Sequence, residues 1–365
     1  MTSEVAVVGG GVSGAAATIA LQRAGVAVSW VAPKPESCLD AVGETLAPAA
    51  NPILKRLGLG DVLISGAHRP SNTTLSSWGS EQLIDRNAIL HLEGPGMVLN
   101  RNQFDADIRA SALSVAADYQ PASLGSLKTR ASKWQLTLTD GTEIFADAVI
   151  DATGRKATIG RRFCDRKRVD QLAAVVAFLR QGRSFVEPTQ AVLIEAVAAG
   201  WWYAALLPDK RLSVGFYTDP DLIEGSPRGD LQAWKSLIEE TIYIGRWIAD
   251  AEFEIGSPPK LFSAGTTWLN RASGMVDGAP WMAIGDSAAA FDPLSSHGIT
   301  TALWAGEQAG QVIPSLFSGN AFALENYSMA VRTGVMRFLE QRQLMYSIEQ
   351  RFTEATFWQR RHSAG

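Results

Sequence analysis

The residues best placed to do chemistry are a few polar side chains set among glycines. Gly9, Gly11 and Gly14 stand in G-x-G-x-x-G spacing, after an apolar run at 4–8 and before a run of Ala, Thr, Ile and Leu that ends at Arg23. A tight turn, an approach of pyrophosphate to the backbone and close helix–strand packing each call for a residue without a side chain. The helix start at Val12 and Ser13 then offers free N–H groups and a positive dipole end to phosphate. Such a motif carries weight because it sits between a strand and a helix. Gly285-Asp286 closes a second apolar run, 279–283, and precedes the small residues Ser287 to Ala290. An acceptor-only carboxylate there suits a polyol hydroxyl; the competing use is to cap the following helix. Asp151-Ala152-Thr153-Gly154-Arg155 is a third turn of the same kind, and all three are expected to converge.

Composition narrows the class. The chain has 365 residues, 46% hydrophobic and 19% charged, so it supports a well-buried core and has room for two domains. A net charge of −4 gives no footprint for nucleic acid or an anionic membrane. Cys38 and Cys164 are the only cysteines, which argues against a disulfide framework and for a reducing cytoplasm. No metal-ligating motif stands out. No apolar run reaches transmembrane length, the longest rival at 197–207 being broken by Gly200. The start, Met1-Thr2-Ser3-Glu4, lacks the basic segment of a signal peptide.

Residues 26–31 read as a second parallel strand, whose end should offer an acid to a ribose 2′-OH. Ala32-Pro33-Lys34-Pro35 stand there instead, with Glu36 slightly later. One helix is expected to open at Gly43 to Pro48, run through Leu54 to Leu57 and end near Gly58 or Gly60; others are expected from Asn100 to about 117, over 230–249 and 302–316, and in one or two long pieces over 322–357. Residues 73–98 form a polar, β-rich patch that includes His91. Residues 134–138, 143–145 and 148–151 read as a meander turning at Asp140-Gly141. Four apolar runs, 173–179, 191–197, 201–206 and 212–217, follow one another without helices, which predicts an antiparallel sheet in a second layer.

Taken together, these motifs resemble the FAD-dependent monooxygenases of the p-hydroxybenzoate hydroxylase fold, and more closely their tryptophan-halogenase-like branch. The match covers most of the chain. Gly9-x-Gly11-x-x-Gly14 corresponds to the ADP-binding loop and Gly43-Glu44-x-x-x-Pro48 to a segment beside the flavin. Arg101-x-x-Phe104-Asp105 corresponds to the arginine reaching the diphosphate and flavin, and Gly285-Asp286 to the carboxylate on the ribityl chain. Asp292-Pro293-Leu294-Ser295-Ser296-His297-Gly298-Ile299 corresponds to the loop next to the isoalloxazine. The resemblance implies FAD and an α/β fold. A discontinuous Rossmann-like FAD-binding domain would comprise 1–70, 98–165 and 260–320. An antiparallel β-sheet substrate domain would comprise 71–97 and 166–259, followed by C-terminal helices at 321–365.

Two features separate halogenase from hydroxylase. Halogenases of this branch place a lysine between the Gly-Glu and Arg-x-x-Phe-Asp segments, and here no lysine occurs between Lys55 and Lys128. They also carry a glutamate after Asp-Pro-x, where this chain has Ser295. The remaining likeness, including the Phe357-Trp358-x-Arg360-Arg361 tail, is to flavoproteins that mature protein-derived quinone cofactors by hydroxylating a tryptophan in another protein. The implied reaction passes through a flavin C4a-hydroperoxide, which needs a dry site and a well-positioned arene. The expected partners are a protein or peptide presenting tryptophan and an electron donor, NAD(P)H or a flavin reductase. His297, with Ser296 and Glu44, is the catalytic candidate; its alternative is a polar residue in a helix's first turn. Glu44 either lines the pocket or caps the next helix. Trp201, Trp202, Tyr203 and Trp281 offer an aromatic wall for an indole or are core. Competing functions are a halogenase, a small-molecule aromatic hydroxylase and a non-catalytic flavin-bound maturation chaperone.

Overall fold

The computed structural model describes residues 3–35, 42–71, 73–87, 95–116, 118–182, 186–223, 231–256 and 258–363; Glu36, Cys38, His91 and Arg183 lie outside them. The strand Ser3–Val8 is the centre of a parallel sheet, flanked by Val28–Val31 on one side and Glu143–Asp151 on the other. Asp118–Gln120 and Ala279–Ala283 extend it outward, also in parallel. Val5, Ala6, Val7, Val28 and Ile150 are fully buried, as strands covered on both faces require. The register decides where the chemistry sits. Val8 lies opposite both Val31 and Asp151, and Asp151 lies opposite Ala283, so these strands end level. Residues 143–151 form one strand rather than two, because the first half pairs with Lys133–Leu138 and the second with Ala279–Ala283.

Small residues weld the helices to this sheet. The helix Val12–Arg23 packs along Gly298–Phe317, and a Cβ on Gly306 would lie 2.5 Å from the Cβ of Ala16. The alanines of the first helix are thus a contact seam.

The second sheet runs in the order Phe253–Ile255, Ala173–Gln181, Leu212–Thr218, Gly200–Leu206, Val192–Val197, Thr73–Ser77, Ile84–Asn87. It is antiparallel except where Val192–Val197 meets Thr73–Ser77 in parallel. Alternation divides neighbours between its faces. Trp201, Tyr203 and Ala205 join Tyr217 on one side, while Trp202, Ala204 and Leu206 join Phe216, Trp234 and Trp247 on the other. The helix expected over 230–249 is two, Leu231–Glu239 and Tyr243–Asp250. The buried carboxylate of Glu195 accepts the N–H groups of Ile242, Tyr243 and Ile244 at 2.6, 3.0 and 2.9 Å, and so caps the second helix from a distant strand. Lys260–Ser263 joins the edge of this sheet, so the boundary expected at 259/260 falls inside it.

The tail helices Ala323–Ile348 and Thr356–His362 fasten the two layers together. Tyr346, Phe357 and Trp358 are fully buried against Trp78 and Trp201, each ring contributing about 1.5–3 kcal/mol of apolar burial. Trp358 donates to the Val197 carbonyl at 2.8 Å and Trp78 to that of Met345 at 2.8 Å. Among the described residues, no helix is long and apolar enough to cross a membrane.

Candidate active site

The level strand ends bring three loops to one edge, where a cleft of about 370 Å³ opens between the two sheets. Its glycines divide by function. Gly9 has φ +132°, and a Cβ on it would stand 2.0 Å from the Ala152 carbonyl oxygen; one on Gly14 would stand 2.1 Å from that of Gly9. These two hold the loop against the sheet and the helix against the loop. A Cβ on Gly11 would meet nothing within 4 Å, because that side of the loop faces the cleft. Val12 and Ser13 line the cleft beside it, and no side chain caps the helix start. An uncapped helix N-terminus behind an open glycine fits a pyrophosphate. Where an acid for the ribose was expected, Arg109 lies over the Trp30 ring at 5.0 Å and donates to the Pro33 carbonyl at 3.1 Å.

Asp286 projects into the cleft from the turn Gly285–Ser287 and caps no helix among the described residues. Burial pushes its carboxyl above the ordinary range, opposed by Arg155, Arg101 and Arg166. Arg155 is 3.6 Å from it and also donates to the carbonyls of Gly265 (2.6 Å) and Phe291 (3.1 Å). The fully buried Asp151 shapes the turn that presents Arg155, accepting N–H groups from Thr153, Ile159 and Gly160.

At the other end of the cleft, Glu44 is held by two distant stretches of chain at once. Its carbonyl accepts the Leu99 N–H at 2.7 Å and its carboxylate the Ser213 hydroxyl at 2.7 Å. It does not cap the helix Ala50–Arg56. Burial raises its pKa; the Ser213 hydrogen bond and Arg101 act against this. Arg101 clamps Asp105 through two nitrogens and donates to the carbonyls of Val42 and Gly43. The Thr45 hydroxyl lies 3.3 Å from that of Tyr203 and 3.4 Å from that of Ser296. Trp201 and Tyr217, directly opposed in register, stack at 3.9 Å and 5°. Pro293, Gly298 and Ile299 close this end. Their loop is anchored by Asp292, fully buried, which accepts from Leu294 N–H, Arg342 and the Tyr346 hydroxyl; Trp201 donates in turn to Tyr346 at 3.1 Å.

Two expected site residues lie elsewhere. His297 is exposed and lines a neighbouring groove with Trp304 and Arg337, because Ser296 takes a left-handed conformation (φ +52°) and turns the chain there. Trp281 is buried under the parallel sheet against Phe163, since its strand presents it to the inner layer. His68 is an internal acceptor for the Asn100 N–H. Thr45, Tyr217 and the Asp292–Arg342–Tyr346 lock were not singled out from sequence, and Arg155 was named only as the end of its turn. Tyr217 was within reach, since strand pairing sets it opposite Trp201; the lock was not, because Asp292 lies 50 and 54 positions from Arg342 and Tyr346.

The LodB protein of Marinomonas mediterranea, described as an FAD-dependent oxidoreductase, is 25% identical over 80% of this chain and 79% of its own length. Menaquinone reductase of Mycobacterium tuberculosis is 28% identical over 86% of this chain and 77% of its own. Among solved structures, the peptidyl tryptophan dihydroxylase QhpG, essential for tryptophylquinone cofactor biogenesis, aligns over 99% of this chain and 79% of its own with a TM-score of 0.79 and 24% identity. The myxobacterial chondrochloren halogenase CndH aligns over 99% and 86% with a TM-score of 0.86 and 19% identity. The tryptophan halogenase family model matches residues 98–364, spanning most of the second sheet, the Gly-Asp turn and the tail helices. The chain belongs to the tryptophan halogenase family and is an FAD-dependent oxidoreductase of the halogenase-like flavoprotein fold.

Proposed function

We propose that this chain is a monooxygenase that hydroxylates an electron-rich arene, the indole of a tryptophan carried by another polypeptide. One observation carries the reading. The cleft wall facing the flavin end consists of Ala174, Trp201, Tyr203, Tyr217 and Phe262, and no lysine lines the cleft among the described residues. A flat, neutral aromatic wall suits an indole, and the branch's halogenating lysine has no counterpart between Lys55 and Lys128. The likeness to QhpG, whose substrate is a peptidyl tryptophan, supports the same choice.

Residue roles follow from position. Gly11, Val12 and Ser13 would hold the pyrophosphate, with Gly9 and Gly14 keeping the loop in place. Asp286 would accept a ribityl hydroxyl, and Arg101 and Arg155 would balance the phosphate and flavin charge. Pro293, Gly298 and Ile299 would support the ring, with the helix start at Gly298 presenting N–H groups to it. Bound FAD supplies the electrons and, with O₂, the oxygen atom; either NAD(P)H or a partner reductase provides the reducing equivalents. Trp201 and Tyr217 fix the arene plane, and that positioning lowers the barrier without strong acid or base on an indole. The apolar wall excludes water. Glu44, its pKa raised by burial, keeps a proton at the cleft to higher pH than an exposed glutamate would. Thr45, Ser296 and Tyr203 offer hydroxyls for passing it on. His297, exposed in the neighbouring groove, has no role here.

The test is to supply reduced holoenzyme with O₂, bromide and either free tryptophan or tryptophan-bearing peptides, and to read the products by mass. Addition of oxygen to the indole of a peptide is expected. A brominated indole would replace this reading by halogenation, and coupled turnover confined to free tryptophan would leave a small-molecule hydroxylase.

A further inference from the structure

The cleft does not end at its sheet wall. Phe262 and Ser263 also line a second depression of about 350 Å³, bounded by Leu172, Leu261 and Thr267. Through Arg168, Asp170 and Gln171 this continues into a third of about 590 Å³ that reaches Arg360 and Arg361. The first and second share Phe262 and Ser263, and the second and third share Arg168, Asp170 and Gln171, so the three adjoin in a row as a groove from the aromatic wall to the tail arginines.

The floor of that groove is a sheet edge. Lys260–Ser263 pairs with Ala173–Gln181, and no described strand covers its other side. Hydrogen-bonded and non-bonded pairs alternate along an antiparallel ladder. Ala264 donates to the Leu172 carbonyl at 2.8 Å, so the next pair, Ala173 with Ser263, is non-bonded, and so is Val175 with Leu261. The N–H and C=O groups of Leu261 and Ser263 therefore point outward along the groove. An extended peptide would find there the backbone partners of a missing strand.

Charge selects the kind of peptide. The groove's acids are neutralised internally, Asp170 by Arg342, Asp219 by Arg361 and Asp221 by Arg360. Arg168, and beside it Arg161, Arg162, Arg166 and Lys167, have no carboxylate within ion-pair distance among the described residues, in a chain whose net charge is −4. Arg166 feels the crowding: burial, and then Arg168, Arg155 and Arg161, hold its guanidinium below its ordinary pKa.

We propose that the polypeptide carrying the target tryptophan lies in this groove as an added strand along Lys260–Ser263, with acidic residues near its tryptophan set against Arg168 and its basic neighbours. This rests on the reading of a protein-borne tryptophan substrate. Backbone pairing supplies affinity without regard to sequence, while the basic cluster supplies preference and speeds encounter.

Fluorescence anisotropy with the holoenzyme tests it, using labelled peptides with one central tryptophan. One set is flanked by glutamate, one by glutamine, and one by glutamate with alternate backbone nitrogens methylated. The glutamate peptide should bind about tenfold tighter than the glutamine peptide at low salt, with the gap closing at high salt. Methylation should weaken binding about tenfold at either salt, as loss of two or so strand hydrogen bonds implies. Lys167→Glu with Arg168→Glu should erase the preference for glutamate while FAD content and Tm stay unchanged. Equal Kd for glutamate and glutamine peptides, or full binding of the methylated peptide, would overturn the groove. Mass analysis of the same peptides keeps the two readings apart. Binding as described without oxygen addition would refute the hydroxylase and leave the groove standing, and oxygen addition to every peptide at equal Kd would do the reverse.

Discussion

The two walls of the cleft are built from opposite materials. The nucleotide wall is backbone: Gly9, Gly11 and Gly14, an uncapped helix start and a turn ending in Asp286. The sheet wall is side chain: Trp201 stacked on Tyr217, with Tyr203 beside them. A backbone wall tolerates almost no change, because any Cβ at a close approach collides with a neighbouring chain. A side-chain wall can be altered one ring at a time, which is how one fold serves different substrates around a constant cofactor.

Breaking the first wall should have the largest effect. Gly14→Val places branched carbon where the Cβ alone would stand 2.1 Å from the Gly9 oxygen, and should cost ~3 kcal/mol or more of stability together with all bound FAD. Gly11→Val is the control that sharpens the point. It meets open space, so the apoprotein Tm should hold while FAD affinity falls at least tenfold. A Tm loss as large as that of Gly14→Val would contradict the division between packing and ligand-facing glycines.

Asp286→Ala comes next. Losing one charge-assisted hydrogen bond to a ribityl hydroxyl should weaken FAD by about 1.5–3 kcal/mol, or tenfold and more, read as flavin retained after gel filtration. Undiminished flavin would remove Asp286 from the cofactor site.

The second wall should respond differently. Tyr217→Leu removes the stack on Trp201, worth about 0.5–1.5 kcal/mol, so the KM for a tryptophan peptide should rise severalfold with flavin content unchanged. Loss of flavin in that variant would mean that the walls are not separable.

The smallest effect is a pH dependence at Glu44. Its native pKa lies above the ordinary value because burial disfavours the carboxylate. The native state therefore binds the proton more tightly than the unfolded chain. The resulting stabilisation is complete below the ordinary carboxylate pKa and is lost as pH rises through the higher native value. Glu44→Gln should flatten that decline in urea midpoints across the window. An unchanged slope would assign it to another group.

The same contrast explains which parts of the fold are legible in the sequence. The glycine loop, the Asp151-to-Arg155 turn and Gly285-Asp286 were legible because backbone chemistry is written as residue type at short spacing. The sheet strands were legible from their apolar runs, and so was the likeness that named the cofactor. Neither His297 nor Trp281 was placed by such reasoning, for each points away from the cleft by a local turn or a strand face. Glu195 capping the helix Tyr243–Asp250 broke a helix that periodicity alone had drawn whole.

By itself the sequence determined the apolar runs that become the nucleotide sheet's strands, the phosphate loop and the carboxylate after the 279–283 run, since each is written within a short stretch of chain. Only the tertiary structure decided which aromatic rings line the cleft, that Asp292 is locked by Arg342 and Tyr346 from the tail, and that a strand edge without a described neighbour leads away from the cleft. Those outcomes depend on strand register and on partners far apart in the chain, and a one-residue shift in register would exchange Trp201 for Trp202 at the site.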